Sequence, residues 1–189
     1  MKNNILGSYI NGNYTVTIYT DGTKIRENDL DNLTPSFAEN CDVKITDKCD
    51  GGCEYCYEGC TSTGKHANLF NYEFIKALHP YTELALNGND MSHPQLVYFI
   101  KLLKEQKVIP NITVNQKHFI KYYNYLKALV DSKLIYGVGV SLIDSSDTDF
   151  IKKIKTFPNL VIHTICGITN LTDYDNLINN NIKTLVLGY

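Results

Sequence analysis

Six short runs rich in apolar and β-branched residues, at 42–46, 83–86, 111–114, 136–142, 160–165 and 184–187, alternate with five segments patterned for helices. The clearest helical stretches are 93–106, with Leu96, Phe99, Ile100 and Leu103 at helical spacing, and 117–130, with Phe119, Tyr122, Tyr123, Leu126 and Leu129. Strands joined by crossovers of this length lie parallel with right-handed connections. The expected fold is therefore α/β, either an open doubly wound sheet or a barrel-like one. Both architectures gather ligand-binding loops at the carboxyl ends of the strands.

Residues 13–28 alternate β-branched or aromatic side chains around Asp21-Gly22, the signal of a hairpin. Residues 29–40 are polar, carry Pro35 and read as a connector. At 189 residues the chain suits one domain that buries roughly 70% of its unfolded surface. The expected division is an N-terminal β-hairpin extension with its connector over 1–40, and a core over 41–189.

Charged residues make up 20% and the formal net charge is −2, which excludes a disordered chain and a strongly basic nucleic-acid binder. No segment approaches the roughly 18 apolar residues of a membrane span, and residues 1–13 lack the apolar stretch of a secretory signal. A cytoplasmic protein without membrane contact is expected. In that reducing compartment six cysteines read as metal ligands or reactive thiols rather than disulfides, and four of them fall within 49–60.

Three of the four occur as Cys49-Asp-Gly-Gly-Cys53-Glu-Tyr-Cys56, directly after the first core strand. Three thiolates on one glycine-kinked loop suit three corners of a cubic iron–sulfur cluster and leave the fourth iron open to an outside ligand. Together with Cys60, and with His66 as a further donor, they also suit a structural zinc site, which takes four thiolate or imidazole ligands. The spacing Cys49-x3-Cys53-x2-Cys56, with Tyr55 just before the last cysteine, resembles the signature of radical S-adenosylmethionine (radical SAM) enzymes. That resemblance implies a [4Fe-4S] cluster held by Cys49, Cys53 and Cys56, with S-adenosylmethionine (SAM) chelating the open iron. Reductive cleavage of SAM would then yield a 5′-deoxyadenosyl radical that abstracts hydrogen from a substrate. It also implies a partial (β/α)6 TIM-like barrel of parallel strands, and an electron donor such as flavodoxin or ferredoxin.

Further resemblances lie at later strand ends. Leu86-Asn87-Gly88-Asn89-Asp90-Met-Ser-His93-Pro94 is similar to the family's Gly-Gly-Glu-Pro segment, whose backbone holds the SAM amino group. Here Asn87 stands for the first glycine and Asn89 for the glutamate, with Asp90 one place later. Read alone, the segment is a polar turn with a helix cap. Ser141, in Ser141-Leu-Ile-Asp144, resembles the strand serine that reaches the SAM carboxylate or ribose, and Asn115 and His163 are candidates of the same kind. Ser141 also reads as a buried strand serine, and His163 as a satisfied core histidine. Ile165 or Ile168 would supply an apolar adenine contact, while Cys166 reads as a hydrogen donor to a substrate radical or as a small buried thiol. Cys60 reads as a ligand to a second metal or a bystander, and Cys41 as core.

The chain stops on its last strand, so either a natural C-terminus lies further on or the barrel is open and a peptide or protein substrate helps to close it. Within the family, the size suits a peptide-modifying enzyme or a glycyl-radical activase. Outside it, the alternatives are a zinc-stabilised interaction module and an inactive barrel.

Overall fold

The computed structural model describes residues 4–70, 73–87 and 90–188, apart from the side chain of Asp90. These residues form two sheets. The first is antiparallel, with β1 (Ile5–Asn11), β2 (Tyr14–Tyr19) and β3 (Lys24–Glu27) in that order. The hairpin expected over 13–28 is β2–β3, and β1 adds a strand that the sequence pattern did not indicate. Asn11 pairs with Tyr14 across a two-residue Gly12-Asn13 turn. β1 escaped notice because its apolar residues do not alternate cleanly: Ile5 and Ile10 both face water.

The second sheet is wholly parallel. It runs β4 (Asn40–Lys44), β5 (Glu83–Asn87), β6 (Ile109–Asn115), β7 (Gly137–Ser141), β8 (Leu160–Ile165) and β9 (Thr184–Leu187), and its spatial order is the chain order. A doubly wound sheet reverses its order at a switch point, whereas this one never does and curls into a half-barrel. The outward side chains Leu84, Leu86, Ile112, Val114, Val138, Val140 and Ile162 form the main core with the helices. These are α1 (Leu96–Glu105), α2 (Gln116–Lys121), α3 (Tyr123–Asp131), α4 (Thr148–Ile154) and α5 (Leu171–Asn179). In α1 the predicted stripe of Leu96, Phe99, Ile100 and Leu103 is fully buried, each side chain contributing roughly 1.5–3 kcal/mol of transfer free energy.

Two expectations about helices are corrected. The helix expected over 117–130 breaks at Tyr122, whose φ of −107° caps α2 while its carbonyl starts α3. The first crossover contains no α-helix among the described residues, only a 3-10 helix at Glu73–Ala77. Pro80 disfavours helical backbone at His79, so this short turn has no room to grow.

The small antiparallel sheet sits under the amino-terminal ends of the core strands. Tyr9, Tyr14, Val16 and Ile18 form a second apolar cluster with Ile109, joined by Tyr81 and Tyr136. The connector is pinned by the buried Asn11, whose Oδ1 accepts from Ser36 N and Phe37 N. No described helix is long and apolar enough to cross a membrane.

Candidate metal centre

β4 ends at Lys44, two residues earlier than expected, because the chain turns aside to pair with its own return path. Ala67 N donates to Ile45 O at 3.0 Å, Asp47 N to Lys65 O at 2.9 Å and Cys49 N to Thr61 O at 2.8 Å. Residues 49–61 are thus an excursion tied at its base, leaving the carboxyl end of β4. Cys49, Cys53, Cys56 and Cys60 all lie on it.

Cys49 is half-buried and its sulfur accepts from Gly51 N at 3.3 Å. Burial pushes its thiol pKa up, and the negative charges of Cys53, Asp50 and Cys56 add to the rise. Cys53 and Cys56 are therefore both within electrostatic reach of Cys49. Cys53 and Cys56 are exposed, and Cys53 Sγ accepts from Asn115 Nδ2 at 3.4 Å. Asn115 ends β6 and caps α2, its Oδ1 accepting from His118 N at 2.8 Å. His118 is buried, and its Nε2 donates to Asp50 Oδ1 at 2.6 Å, while Lys121 Nζ reaches Asp50 Oδ2 at 3.2 Å. The His118 hydrogen bond, then that of Lys121, holds the Asp50 carboxyl below its ordinary range. The first turn of α2 therefore brackets the cysteine loop. Gly51 makes the bracket possible, since a Cβ there would stand 2.4 Å from Asn115 Nδ2.

Cys60 and His66 are occupied at the base of the loop. Cys60 Sγ donates to Thr46 O at 3.5 Å, and burial pushes its pKa up to about 11. His66 Nδ1 meets Thr46 Oγ1 at 2.8 Å. Among the described residues no group of three or more His, Cys, Asp or Glu side chains converges closely enough to hold a metal ion. The donor chemistry suits a thiophilic group, and holding one requires the loop to close around it.

The other predicted positions distribute along the same edge. In the sheet register Asn115 pairs with Ser141 and Ser141 with His163, so these three form one row near the carboxyl ends of β6, β7 and β8. Asn87 is buried at the end of β5 and pairs with Lys44. Gly88 and Asn89 lie outside the described residues, and Asp90 opens a 3-10 helix, Asp90–Ser92. Tyr55 is exposed. Cys41 packs against the main core as expected. Two of the plainer readings fail. Cys166 is exposed rather than buried, and His163 has no hydrogen-bond partner among the described residues, so it is not a satisfied core histidine. Sequence reasoning missed Asp50, His118 and Lys121, whose only local hint is an acidic residue inside the cysteine motif. Compared with protein-family models, curated proteins and solved structures, the chain matches none.

Proposed function

We propose that the chain is a radical SAM enzyme acting on a peptide or protein substrate. One observation carries the reading. Cys49, Cys53 and Cys56 share a loop, tied at its base, at the carboxyl end of the first strand of a sequential half-barrel, and Asn115 donates to Cys53 from the third. When bound, a [4Fe-4S] cluster and SAM would supply the one-electron chemistry that starts hydrogen abstraction. The chain's own part is to present three thiolates and to hydrogen-bond their sulfurs. N–H bonds to sulfur are among the levers that set a cluster's potential, so Asn115 would tune as well as position.

Asn87 and Ser141 would form part of a polar cradle for the SAM amino, carboxylate and ribose groups at the same edge. Cys60 and His66 are engaged with Thr46, which favours a set of three thiols over a four-ligand zinc site. A donor such as flavodoxin or ferredoxin would deliver its electron at the exposed rim carrying Cys53 and Cys56.

Anaerobic reconstitution with iron and sulfide tests the reading. About four iron per chain are expected, with SAM cleaved to 5′-deoxyadenosine after reduction. Cys53→Ala should lose the iron while Cys60→Ala keeps it. Zinc at one equivalent with no iron uptake would overturn the proposal.

A further inference from the structure

Inside the half-barrel, the inner face of the sheet and the β2–β3 turn line a solvent-open cavity of about 420 Å3. Small-molecule sites usually fall at roughly 300–1,000 Å3. Asn111 and Thr113 enter it from β6 and His163 from β8, while Asp21 and its neighbours close the amino-terminal end. β7 lies between these strands and is glycine at the two facing positions. A Cβ on Gly137 would stand 2.7 Å from Asn111 Oδ1, and one on Gly139 would stand 2.7 Å from Thr113 Oγ1 and 2.8 Å from His163 Cε1. The glycines let polar side chains from both neighbouring strands lie across β7 and converge.

That convergence leaves hydrogen-bonding capacity unused. Asn111 Oδ1 is buried without a partner, a condition that costs about 1–3 kcal/mol in a folded protein. The His163 ring also lacks a hydrogen-bond partner among the described residues, and burial lowers its pKa, so the imidazole is neutral at pH 7. The carboxylates of the lining are matched. Glu83 Oε2 lies 2.7 Å from Lys24 Nζ, and Asp21 accepts from the Thr23 backbone N–H, which together with the charge of the exposed Lys183 holds its carboxyl below the usual range. The cavity thus presents an unmet neutral acceptor and a neutral imidazole beside matched carboxylates. A carboxylate entering at Asn111 would lose hydration and set its charge against the unpaired Asn111 oxygen.

We infer that this cavity binds an uncharged amide, either a primary carboxamide or a peptide group, through Asn111 and His163. The amide N–H donates to Asn111 Oδ1 and the amide oxygen accepts from the imidazole N–H. A primary carboxamide carries a donor beside an acceptor on one edge, so it complements the Asn111 carboxamide in either orientation of that side chain; a trans peptide group points its N–H and its oxygen in opposite directions and would instead span Asn111 and His163.

The test uses the full chain without cluster or SAM, so that failure to take up iron bears on the proposed enzyme activity and not on this site. Benzamide represents a primary carboxamide, N-methylbenzamide a peptide group, and benzoate the charged control. Saturable binding of at least one amide is expected by calorimetry or ligand-observed NMR, with benzoate excluded; which amide binds identifies the source. Asn111→Leu should weaken that binding at least about tenfold while raising the unfolding midpoint, because the orphan acceptor is gone. His163→Leu, on a different strand, should weaken it independently, each variant being read with its circular dichroism matched to the parent. Absence of amide binding, equal binding of benzoate, or unchanged affinity in both variants would overturn the inference.

Discussion

The two ends of the half-barrel follow opposite plans. At the amino-terminal end Glu39 is buried among committed partners. Arg26 Nη2 lies 2.7 Å from Oε2, Arg26 Nε lies 3.1 Å from each carboxylate oxygen, and the Tyr14 hydroxyl donates to Oε1 at 2.6 Å. Lys24 extends this network to Glu83 on β5. Arg26 is the single arginine of the chain, placed where a planar fork is needed and a lysine could not hold both oxygens. At the carboxyl end Cys53 and Cys56 are exposed, and beyond its base the loop is held to the start of α2 by one long bond to Cys53 and by a half-exposed carboxylate. A fixed floor and an open rim would divide stability from the proposed chemistry, as barrel-like sheets generally do.

The largest expected effect is at the floor. Arg26→Leu leaves the Glu39 carboxylate buried with Tyr14 and a more distant Lys24, and should cost about 3 kcal/mol in urea unfolding without changing iron uptake at the rim. The pH profile sharpens this. Burial alone would raise the Glu39 pKa, but the hydrogen bonds from Arg26 and Tyr14 outweigh it and hold the carboxyl below its ordinary value of about 4.3. A carboxyl depressed on folding contributes stability that is complete above its unfolded pKa and is lost as pH falls through the folded one. The gap between parent and Arg26→Leu should therefore be widest near neutrality and shrink below about pH 4. A gap independent of pH would mean that Arg26 acts through packing alone.

A smaller loss, about 1.5 kcal/mol, is expected for Tyr14→Phe in the same unfolding measurement, since it removes one hydrogen bond to a charged acceptor and keeps the ring in its cluster.

These two ends were unequally legible in the sequence. The strands of the parallel sheet and the face of α1 carry periodic apolar patterns, which follow from burial and can be read directly. The cysteine triplet is legible for a different reason: its donors are close in sequence. The contacts that hold both ends are neither periodic nor local. Arg26 meets Glu39, Asn115 meets Cys53, and His118 meets Asp50 only after the sheet has brought separate segments together. The break at Tyr122 was hidden because the apolar residues on both sides keep one helical phase.

The smallest effect on stability, and the one that most directly probes the difference between the ends, is expected for Asp50→Asn. The substitution keeps an acceptor for His118 Nε2 and removes only the charge shared with Lys121. The Asp50 side chain is 56% exposed, so solvent screening limits the loss to less than about 1 kcal/mol. Its carboxyl is depressed mainly by His118, so the contribution is complete at pH 7 and fades as pH falls below about 3.9. The local consequence should exceed the global one. With its link to α2 weakened, the loop opens more often, and amide exchange at Gly51 should accelerate several-fold while that of β6 and β7 stays unchanged. A loss as large as that of Arg26→Leu, with exchange rising across the sheet, would place the rim in the same cooperative unit as the floor and remove the distinction between them.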